Sequence, residues 1–297
     1  MKFLLLGRNG MLGRALSPIL PQLGELVAWG REEADFENPA ALAEQIKREE
    51  PDFIVNAAAY TAVDAAEDDS ERAYRINAEA VGAIGEAARS IAAFVVHYST
   101  DFVFDGTSSA PYAETDRPNP LSVYGKSKLA GEWALMQSGV VCMILRVSWT
   151  YADHGKNFPL AILNAAKSRD TINVVMDEIG AATPVTLVAR SSVAALRQVM
   201  DNRGLGGLYH LAASGSASRY ELARFIVSEA LAAGAEIKLT PDAIKPIPAS
   251  AWPSKVQRPA NSVFDTTVFE SIFNVHLPPW QDGIRQLIKT LRERGDI

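Results

Sequence analysis

A tyrosine and a lysine lie four residues apart in the segment Tyr124-Gly125-Lys126-Ser127-Lys128. In a helix this spacing places both side chains on one face, about one turn apart. An ammonium group near a phenol favours the phenolate and lowers the tyrosine pKa from its usual value near ~10. Tyr124 could then donate a proton to a developing alkoxide. The alternative is a solvent-facing pair on an ordinary amphipathic helix. The segments that precede Tyr124 in the sequence distinguish the catalytic interpretation from this one.

A hydroxyl side chain is expected to converge on the same place. The apolar run from Phe94 to Tyr98 is typical of a buried strand, and Ser99-Thr100-Asp101 follows it directly. Residues 102–121 form a polar loop of the kind that often acts as a lid, and the helix carrying Tyr124 comes next. A hydroxyl, a phenol and a lysine beside a nicotinamide make a carbonyl-reducing site. This convergence favours the chemical interpretation of Tyr124.

Three glycines follow the first apolar run, Phe3 to Leu6, in the order Gly7-Arg8-Asn9-Gly10-Met11-Leu12-Gly13. A strand, a glycine-rich turn and a helix in this order are typical of a dinucleotide-binding unit. Gly7 allows the tight turn, Gly10 lets the backbone approach a pyrophosphate, and Gly13 lets the helix pack closely on the strand. The start of the helix adds free N–H groups and partial positive charge for the phosphates. The segment predicts a bound dinucleotide.

The end of the second predicted strand, Glu25 to Trp29, indicates which dinucleotide is preferred. NAD-specific folds carry an acidic residue near this point, which binds the ribose 2′-hydroxyl. Here Arg31 follows the strand, and together with Arg8 it suits a 2′-phosphate, so we expect NADPH to be preferred, with NADH possible. Asp35 could reach the adenine and Phe36 could lie against it; a surface turn is the equally weighted alternative.

Strands and helices alternate along the first half of the chain. Small residues, Ala57-Ala58-Ala59, run off the third predicted strand and leave room for a ligand at its end. The alternation predicts an α/β fold with a Rossmann-type doubly wound parallel sheet and a smaller α/β C-terminal substrate domain. We expect residues 1–147 and about 184–213 to form the dinucleotide-binding domain, and about 148–183 and 214–297 the substrate domain.

Composition and charge exclude several classes of protein. The net charge is -6 and no basic block occurs, which argues against a nucleic-acid partner. No apolar stretch approaches membrane-spanning length, so no membrane is expected. The single cysteine, Cys142, lies in an apolar run, which indicates an inert thiol and fits a cytoplasmic location. The four histidines lack metal-ligand spacing, and His97 lies in an apolar run that favours a core residue.

Several longer segments resemble the extended short-chain dehydrogenase/reductase superfamily and, within it, the dTDP-4-dehydrorhamnose reductase family. They cover residues 55–64, 97–104, 123–132, 146–149, 207–211 and 258–262. The likeness extends over nearly the whole chain. It implies NADPH-dependent reduction of the 4-keto group of dTDP-4-dehydro-L-rhamnose (dTDP-6-deoxy-L-lyxo-4-hexulose), the last step in making dTDP-L-rhamnose.

The resemblance also implies a role for each matching residue. Tyr124 would donate the proton, Lys128 would tune it and bind the nicotinamide ribose, and Thr100 would hydrogen-bond the substrate carbonyl region. Asp101 and Trp149 would contact the sugar, although core packing is an alternative for Trp149. The remaining matches would border the cofactor: Gly10, Met11 and Leu12 at the pyrophosphate, Asp35 and Phe36 at the adenosine end, and Ala59, Tyr60 and Thr61 along its edge.

Basic side chains in the proline-rich stretch 241–261 could meet the diphosphate of a nucleotide sugar. Arg258 offers the better fork for phosphate. A solvated loop is the alternative, which carries more weight for Lys255 than for Arg258.

Three positions depart from the family pattern. Glu178 and Ala182 stand where the family commonly has glutamine and proline, which leaves the substrate details near this loop open. Ala15 stands where some members carry a Mg²⁺-binding glutamate, so we expect no metal and a monomer or weak homodimer without a metal bridge. Two alternatives remain: another nucleotide-sugar 4-reductase or epimerase of this fold, or a non-catalytic regulatory subunit like that of methionine adenosyltransferase. The intact set of Thr100, Tyr124 and Lys128 argues against the regulatory subunit.

Overall fold

A computed structural model describes all 297 residues, which form twelve strands and eleven α-helices. The strands are β1 (Lys2–Leu6), β2 (Glu25–Trp29), β3 (Phe53–Asn56), β4 (Phe94–Thr100), β5 (Cys142–Val147), β6 (Thr150–Tyr151), β7 (Ile172–Val175), β8 (Ile179–Gly180), β9 (Thr183–Pro184), β10 (Gly207–Leu211), β11 (Ala217–Ser218) and β12 (Ile244–Ile247). The helices are α1 (Met11–Leu16), α2 (Pro39–Glu49), α3 (Val63–Ala66), α4 (Ser70–Tyr74), α5 (Ala80–Ser90), α6 (Val123–Gln137), α7 (Phe158–Ser168), α8 (Val185–Asp201), α9 (Arg219–Ala232), α10 (Thr267–Phe273) and α11 (Trp280–Arg294).

Six parallel strands form the central sheet, in the order β10-β5-β4-β3-β1-β2. Strands β3 and β4 are buried along their whole length, as expected when helices cover both faces of a parallel sheet. The predicted doubly wound α/β fold is therefore confirmed. The strand order reverses between β1 and β3, which is where such sheets bind ligands. Leu6 pairs with Asn56 there, so the glycine turn lies beside Ala57.

Apolar clusters lie on both faces of this sheet, and a third lies between the C-terminal helices. The third cluster joins Tyr151 and Ile162 to residues of α9 and α11. Phe269 and Phe273 of α10 instead pack with the sheet residues Phe3 and Tyr209. The proposed division into two domains stays a prediction, with α10 packed on the sheet side. No helix in the structure is long and apolar enough to span a lipid bilayer.

Some elements differ from the patterns that predict them. Apolar residues continue at helical spacing from Leu16 through Leu23, which predicts a longer helix, but α1 ends at Leu16 because Pro18 interrupts it. The sequence from Ser70 to Ala92 predicts one long helix, but a π-helical segment, Arg75–Glu79, lies between α4 and α5. The proline-rich stretch contains β12, which pairs in parallel with β7.

Candidate active site

The carboxyl end of β4 and the start of α6 bring Thr100 and Tyr124 together. The Ser122 hydroxyl caps α6 by accepting a hydrogen bond from the Gly125 N–H (3.1 Å). A Cβ on Gly125 would lie 2.2 Å from the Phe102 carbonyl oxygen, so glycine lets α6 pack directly on the turn after β4. The Thr100 hydroxyl consequently lies within hydrogen-bonding reach of the Tyr124 phenol. This convergence is the one that the sequence predicted.

The electrostatics of Tyr124 differ from expectation. Burial raises its pKa to about 12; the nearby Thr100 hydroxyl acts in the opposite direction, and the Asp101 charge adds to the rise. The expected lowering by Lys128 is wrong for this structure. Lys128 Nζ instead donates to the Tyr98 carbonyl oxygen (2.6 Å) and lies 3.3 Å from His97 Nε2. The proton therefore stays on the phenol, as a proton donor requires.

Lys128 is only 2 % exposed, since it reaches under α6 to the sheet. Burial lowers its pKa to about 8, and the nearby Glu132 carboxylate opposes this shift. Glu132 is itself held by two bonds from the Arg146 guanidinium (2.9 and 2.7 Å) and by the Ser99 hydroxyl. The lysine is thus fixed in a largely dry site beside the crevice.

Asn77 supports the crevice and was not identified from the sequence. Its side chain accepts a hydrogen bond from the Tyr60 N–H (2.8 Å) and donates to the Tyr60 carbonyl (3.1 Å) and to Ser127 Oγ (3.0 Å). It therefore joins the predicted cofactor edge, Ala59 to Thr61, to helix α6. Asn77 lies in the π-helical segment, and such segments are frequent at functional sites.

The glycine turn has the shape that a pyrophosphate group needs. Gly7 has φ +86°, a left-handed conformation, and a Cβ there would lie 2.8 Å from Ala58 N. A Cβ on Gly13 would lie 2.1 Å from the Gly7 carbonyl oxygen, so only glycine allows this close packing. A Cβ on Gly10 would meet only the Gly7 oxygen at 3.4 Å, which leaves its outer side open. These residues fit a dinucleotide.

The adenosine end contains an acidic residue that the sequence search did not identify. Glu33 accepts a hydrogen bond from the Gly30 N–H (2.8 Å) and from Arg8 (2.7 Å), whose guanidinium also donates to the Ala28 carbonyl. Arg8 is therefore already paired. Arg31 is exposed and makes no ion pair, so it is the arginine available to a 2′-phosphate.

Asp35 and Phe36 occupy different environments. Asp35 is exposed and accepts a hydrogen bond from the Glu37 N–H (2.9 Å). Phe36 lies in the turn that the hydrogen bond from the Asn38 N–H to the Asp35 carbonyl closes, but its side chain is buried in the apolar cluster with Leu4 and Ile46. Their roles at the adenosine end stay predictions.

The sugar side of the crevice contains a buried carboxylate with unused bonding capacity. Asp101 is 4 % exposed; its Oδ1 accepts a hydrogen bond from the Thr100 hydroxyl (3.1 Å), and its Oδ2 has no partner. Burial raises the pKa of Asp101. Buried polar atoms are nearly always satisfied in native proteins, so the free oxygen is consistent with a ligand hydroxyl.

The indole ring of Trp149 stacks on an arginine that was not predicted from the sequence. The Arg219 guanidinium lies 3.8 Å from the centroid of the indole and donates to Glu178 (3.3 Å). Arg219 also acts electrostatically on Asp101, which joins the charge pair to the sugar side. Glu178, the departure from the family pattern, is thus one half of an ion pair. Arg219 begins α9, far along the chain, and no short motif marks it.

Arg258 and Lys255 of the proline-rich stretch are both paired. Arg258 lies 3.1 Å from Asp64 of α3, and Lys255 lies 2.8 Å from Asp68. These ion pairs connect residues 252–258 to the segment that follows the cofactor edge. The role predicted for Arg258 stays a prediction.

A separate cavity lies away from this crevice. It has a volume of about 550 Å³ and lies between α1, α8 and α11, where Ala15, Tyr151 and Arg190 contribute to its lining. The structure contains no group of three or more His, Cys, Asp or Glu side chains that could hold a metal ion. The crevice is therefore identified by its chemistry and by its place at the sheet edge.

Comparisons with known proteins give the same picture over the whole chain. Residues 1–293 match the family model for the RmlD substrate binding domain. The dTDP-4-dehydrorhamnose reductase of Salmonella typhimurium is 41% identical over 97% of both chains, and that of Burkholderia thailandensis is 40% identical over 98% of this chain and 99% of its own. The crystal structure of the Bacillus anthracis reductase in complex with NADP has a TM-score of 0.88 at 29% identity, covering 97% of this chain and 99% of that one.

Proposed function

This chain belongs to the dTDP-4-dehydrorhamnose reductase family, and from that premise we propose that it catalyses the NADPH-dependent reduction of dTDP-4-dehydro-L-rhamnose to dTDP-L-rhamnose. This is an oxidoreductase reaction and the last step of dTDP-rhamnose synthesis. NADPH is the preferred cofactor. Two features support this assignment. The turn at Gly7 and Gly13 leaves no room for a side chain, and Arg31 is exposed without an ion pair.

The pairing of Thr100 with Tyr124 carries the proposal. Both hydroxyls lie at the carboxyl end of β4, and the raised pKa of Tyr124, about 12, keeps its proton in place at neutral pH. Reduction of a ketone leaves an alkoxide whose own basicity is high, so a protonated phenol can donate to it. Thr100 would orient the carbonyl oxygen toward this proton.

The chemistry divides between cofactor and protein. When bound, NADPH supplies the hydride that is added to the C4 carbonyl carbon. Tyr124 gives its proton to the C4 oxygen, and Lys128 binds the nicotinamide ribose. Asp101 would receive a sugar hydroxyl on its free Oδ2, while Trp149 would pack against the sugar ring. Arg258 would exchange Asp64 for the diphosphate of the nucleotide.

The structure also bears on assembly and location. We infer that the protein acts as a monomer or weak homodimer without a metal bridge, because Ala15 offers no ligand atom. A cytoplasmic location is proposed on the basis of the single cysteine, which excludes an internal disulfide.

One assay tests the proposal directly. The purified protein is mixed with NADPH and enzymatically prepared dTDP-4-dehydro-L-rhamnose, and the NADPH absorbance is followed. We expect stoichiometric oxidation and dTDP-L-rhamnose as product. An epimerase would consume no NADPH, and a regulatory subunit would bind it without turnover; either outcome would refute the proposal.

Tyr124→Phe provides the matched variant for this assay, because it removes only the phenolic hydroxyl. Turnover should fall by about 10²–10⁴-fold, the usual contribution of general acid catalysis. The Kd for NADPH, measured by fluorescence, should change little. Turnover close to wild type would exclude Tyr124 as the proton donor while leaving the reductase assignment standing.

A further inference from the structure

A buried chain of polar groups lies beneath the active-site lysine, and its first link is an asparagine with a fixed orientation. Asn56 Oδ1 accepts a hydrogen bond from the Ala58 N–H (3.1 Å). The amide nitrogen of Asn56 must then face His97 Nδ1, which lies 3.0 Å away. A flipped amide would place two donors against each other at Ala58. The Asn56 Nδ2–H therefore donates, and His97 Nδ1 accepts.

This arrangement determines where the proton of His97 lies. A neutral imidazole has one N–H and one acceptor nitrogen. Since Nδ1 accepts from Asn56, Nε2 carries the hydrogen. Burial lowers the pKa of His97 well below its usual value, so the ring stays neutral at physiological pH. His97 is completely buried, so no water competes for Nε2.

The Nε2–H of His97 points at Lys128 Nζ, 3.3 Å away, while Nζ also lies 2.6 Å from the Tyr98 carbonyl oxygen. An ammonium group has only donors, so it would oppose this N–H. An uncharged amine satisfies both neighbours, because its lone pair accepts from His97 and one N–H donates to Tyr98. The contacts of Lys128 therefore match the amine.

We propose that His97 is a positioning residue which stabilises the uncharged amine form of Lys128 inside the core until the dinucleotide draws the side chain outward. The inference rests on the proposed function, since it assumes that Lys128 moves to the nicotinamide ribose. Once separated from His97, Lys128 takes up a proton from solvent and becomes the ammonium that binds the ribose. Cofactor binding is thereby coupled to uptake of one proton.

The other charged groups around Lys128 do not provide this effect. On its own helix, Glu132 favours the ammonium, but Arg146 of β5 neutralises it through two hydrogen bonds. Tyr124, one turn earlier, is an uncharged phenol at working pH. The remaining neighbour is His97 of β4, backed by Asn56 of β3. Burial lowers the pKa of Lys128 to about 8, so the amine is the main form above that pH.

Two NMR measurements on the cofactor-free wild-type protein test the geometry without any variant. Nitrogen-15 spectra of the histidine rings should show His97 as the Nε2–H tautomer. Carbon-13 spectra of labelled lysines, assigned with Lys128→Met, should show Lys128 titrating well below the exposed lysines. An Nδ1–H tautomer, or a Lys128 midpoint equal to that of the exposed lysines, would overturn the proposal.

His97→Gln tests the link between the two residues. The glutamine carbonyl can accept from an ammonium, so the Lys128 midpoint should rise toward that of a free lysine. The matched control is His210→Gln, since His210 is equally buried but bonds the Tyr112 carbonyl instead. The same shift in both variants, or in neither, would contradict a specific role for His97.

Proton uptake supplies a second readout and separates this proposal from the proposed function. Calorimetry of NADPH binding at about pH 9, in buffers of different ionisation enthalpy, should show nearly one proton taken up by wild type and clearly less by His97→Gln. Equal uptake in both would refute the role of His97 while leaving reductase activity untouched. Conversely, a protein without reductase activity could still show the NMR signatures of His97 and Lys128.

Discussion

Gly180 lies flat against the indole ring of Trp149. A Cβ on Gly180 would lie 2.5 Å from Trp149 Cε2 and 2.7 Å from Cδ2, closer than real side chains allow. Trp149 itself has a left-handed backbone, with φ +43°, which is uncommon for a bulky residue and is found where function constrains the chain. The orientation of the ring thus depends on the absence of a side chain at position 180.

Gly180→Ala should consequently weaken substrate binding. The added methyl group would push the indole away from Arg219 and out of the position proposed for sugar contact. We expect KM for the nucleotide sugar to rise about tenfold, which corresponds to about 1.4 kcal/mol. The Kd for NADPH should remain unchanged, because the glycine turn is separate from this site. Steady-state kinetics with both ligands varied would measure this split.

Gly82→Ala is the matched control for that variant. Gly82 lies within α5, where a Cβ would meet Ala134 Cβ at 3.2 Å, away from the crevice. Its kinetic constants should equal those of wild type. If Gly180→Ala also left KM unchanged, Trp149 would have no part in binding the sugar.

Arg31 should control the preference for NADPH. It is exposed without an ion pair, whereas Arg8 is held by Glu33. Arg31→Ala should raise KM for NADPH about tenfold and leave KM for NADH nearly unchanged, because only NADPH carries the 2′-phosphate. Kinetics with the two cofactors at fixed substrate would show this. Arg197→Ala, an exposed arginine on α8, is the control; a parallel loss with both cofactors would refute the assignment.

Patterns within short segments predicted the sheet and the meeting of Thr100 with Tyr124. Strand ends in a parallel sheet share one edge, so a residue after β4 and the first turn of the next helix must approach each other. The glycine turn was also predicted from the sequence, because Gly7 and Gly13 are required by steric contacts with nearby backbone. The confirmed fold class rests on these local rules.

Contacts between residues that are far apart in the sequence could not be predicted in this way. The direction of Lys128 is set by the Tyr98 carbonyl and by His97, which lie about thirty positions earlier. Arg219 reaches Trp149 because β11, which leads into α9, pairs with β8. Glu33 lies a few residues beyond the end of β2, where NAD-specific folds carry their acidic residue. Each of these depends on packing that no single segment encodes.

Arg258 and Lys255 offer a matched pair of variants for the nucleotide-binding loop. Arg258→Ala should raise KM for the nucleotide sugar severalfold, because it removes the proposed fork for the diphosphate. Lys255→Ala should have little effect, since Lys255 and Asp68 are both highly exposed and such ion pairs contribute little. Equal effects would indicate that the loop acts through general charge. The effect of Arg258→Ala should shrink at high salt.

The loop of residues 102–121 should owe its order at neutral pH to Asp105. Its carboxylate accepts hydrogen bonds from the Thr107 N–H, Asn119 Nδ2 and the hydroxyls of Thr107 and Tyr112. Chiefly through the Thr107 N–H bond, these contacts lower the pKa of Asp105 to about 2. A depressed pKa in the folded state stabilises it above the unfolded value, near ~3.9, and this stabilisation is lost as pH falls toward about 2.

Asp105→Asn should therefore lower the free energy of unfolding by about 1 kcal/mol at pH 7, allowing for solvent screening. The deficit relative to wild type should narrow as pH falls from about 4 toward about 2, because the carboxylate of the unfolded chain is then protonated while that of the folded protein still resists protonation. Urea unfolding at pH 7 and pH 3 would measure both values. Asp116→Asn is the control, since Asp116 accepts only the Ala113 N–H within the same loop. A deficit independent of pH would mean that Asp105 acts by shape alone and that its charge does not hold the loop.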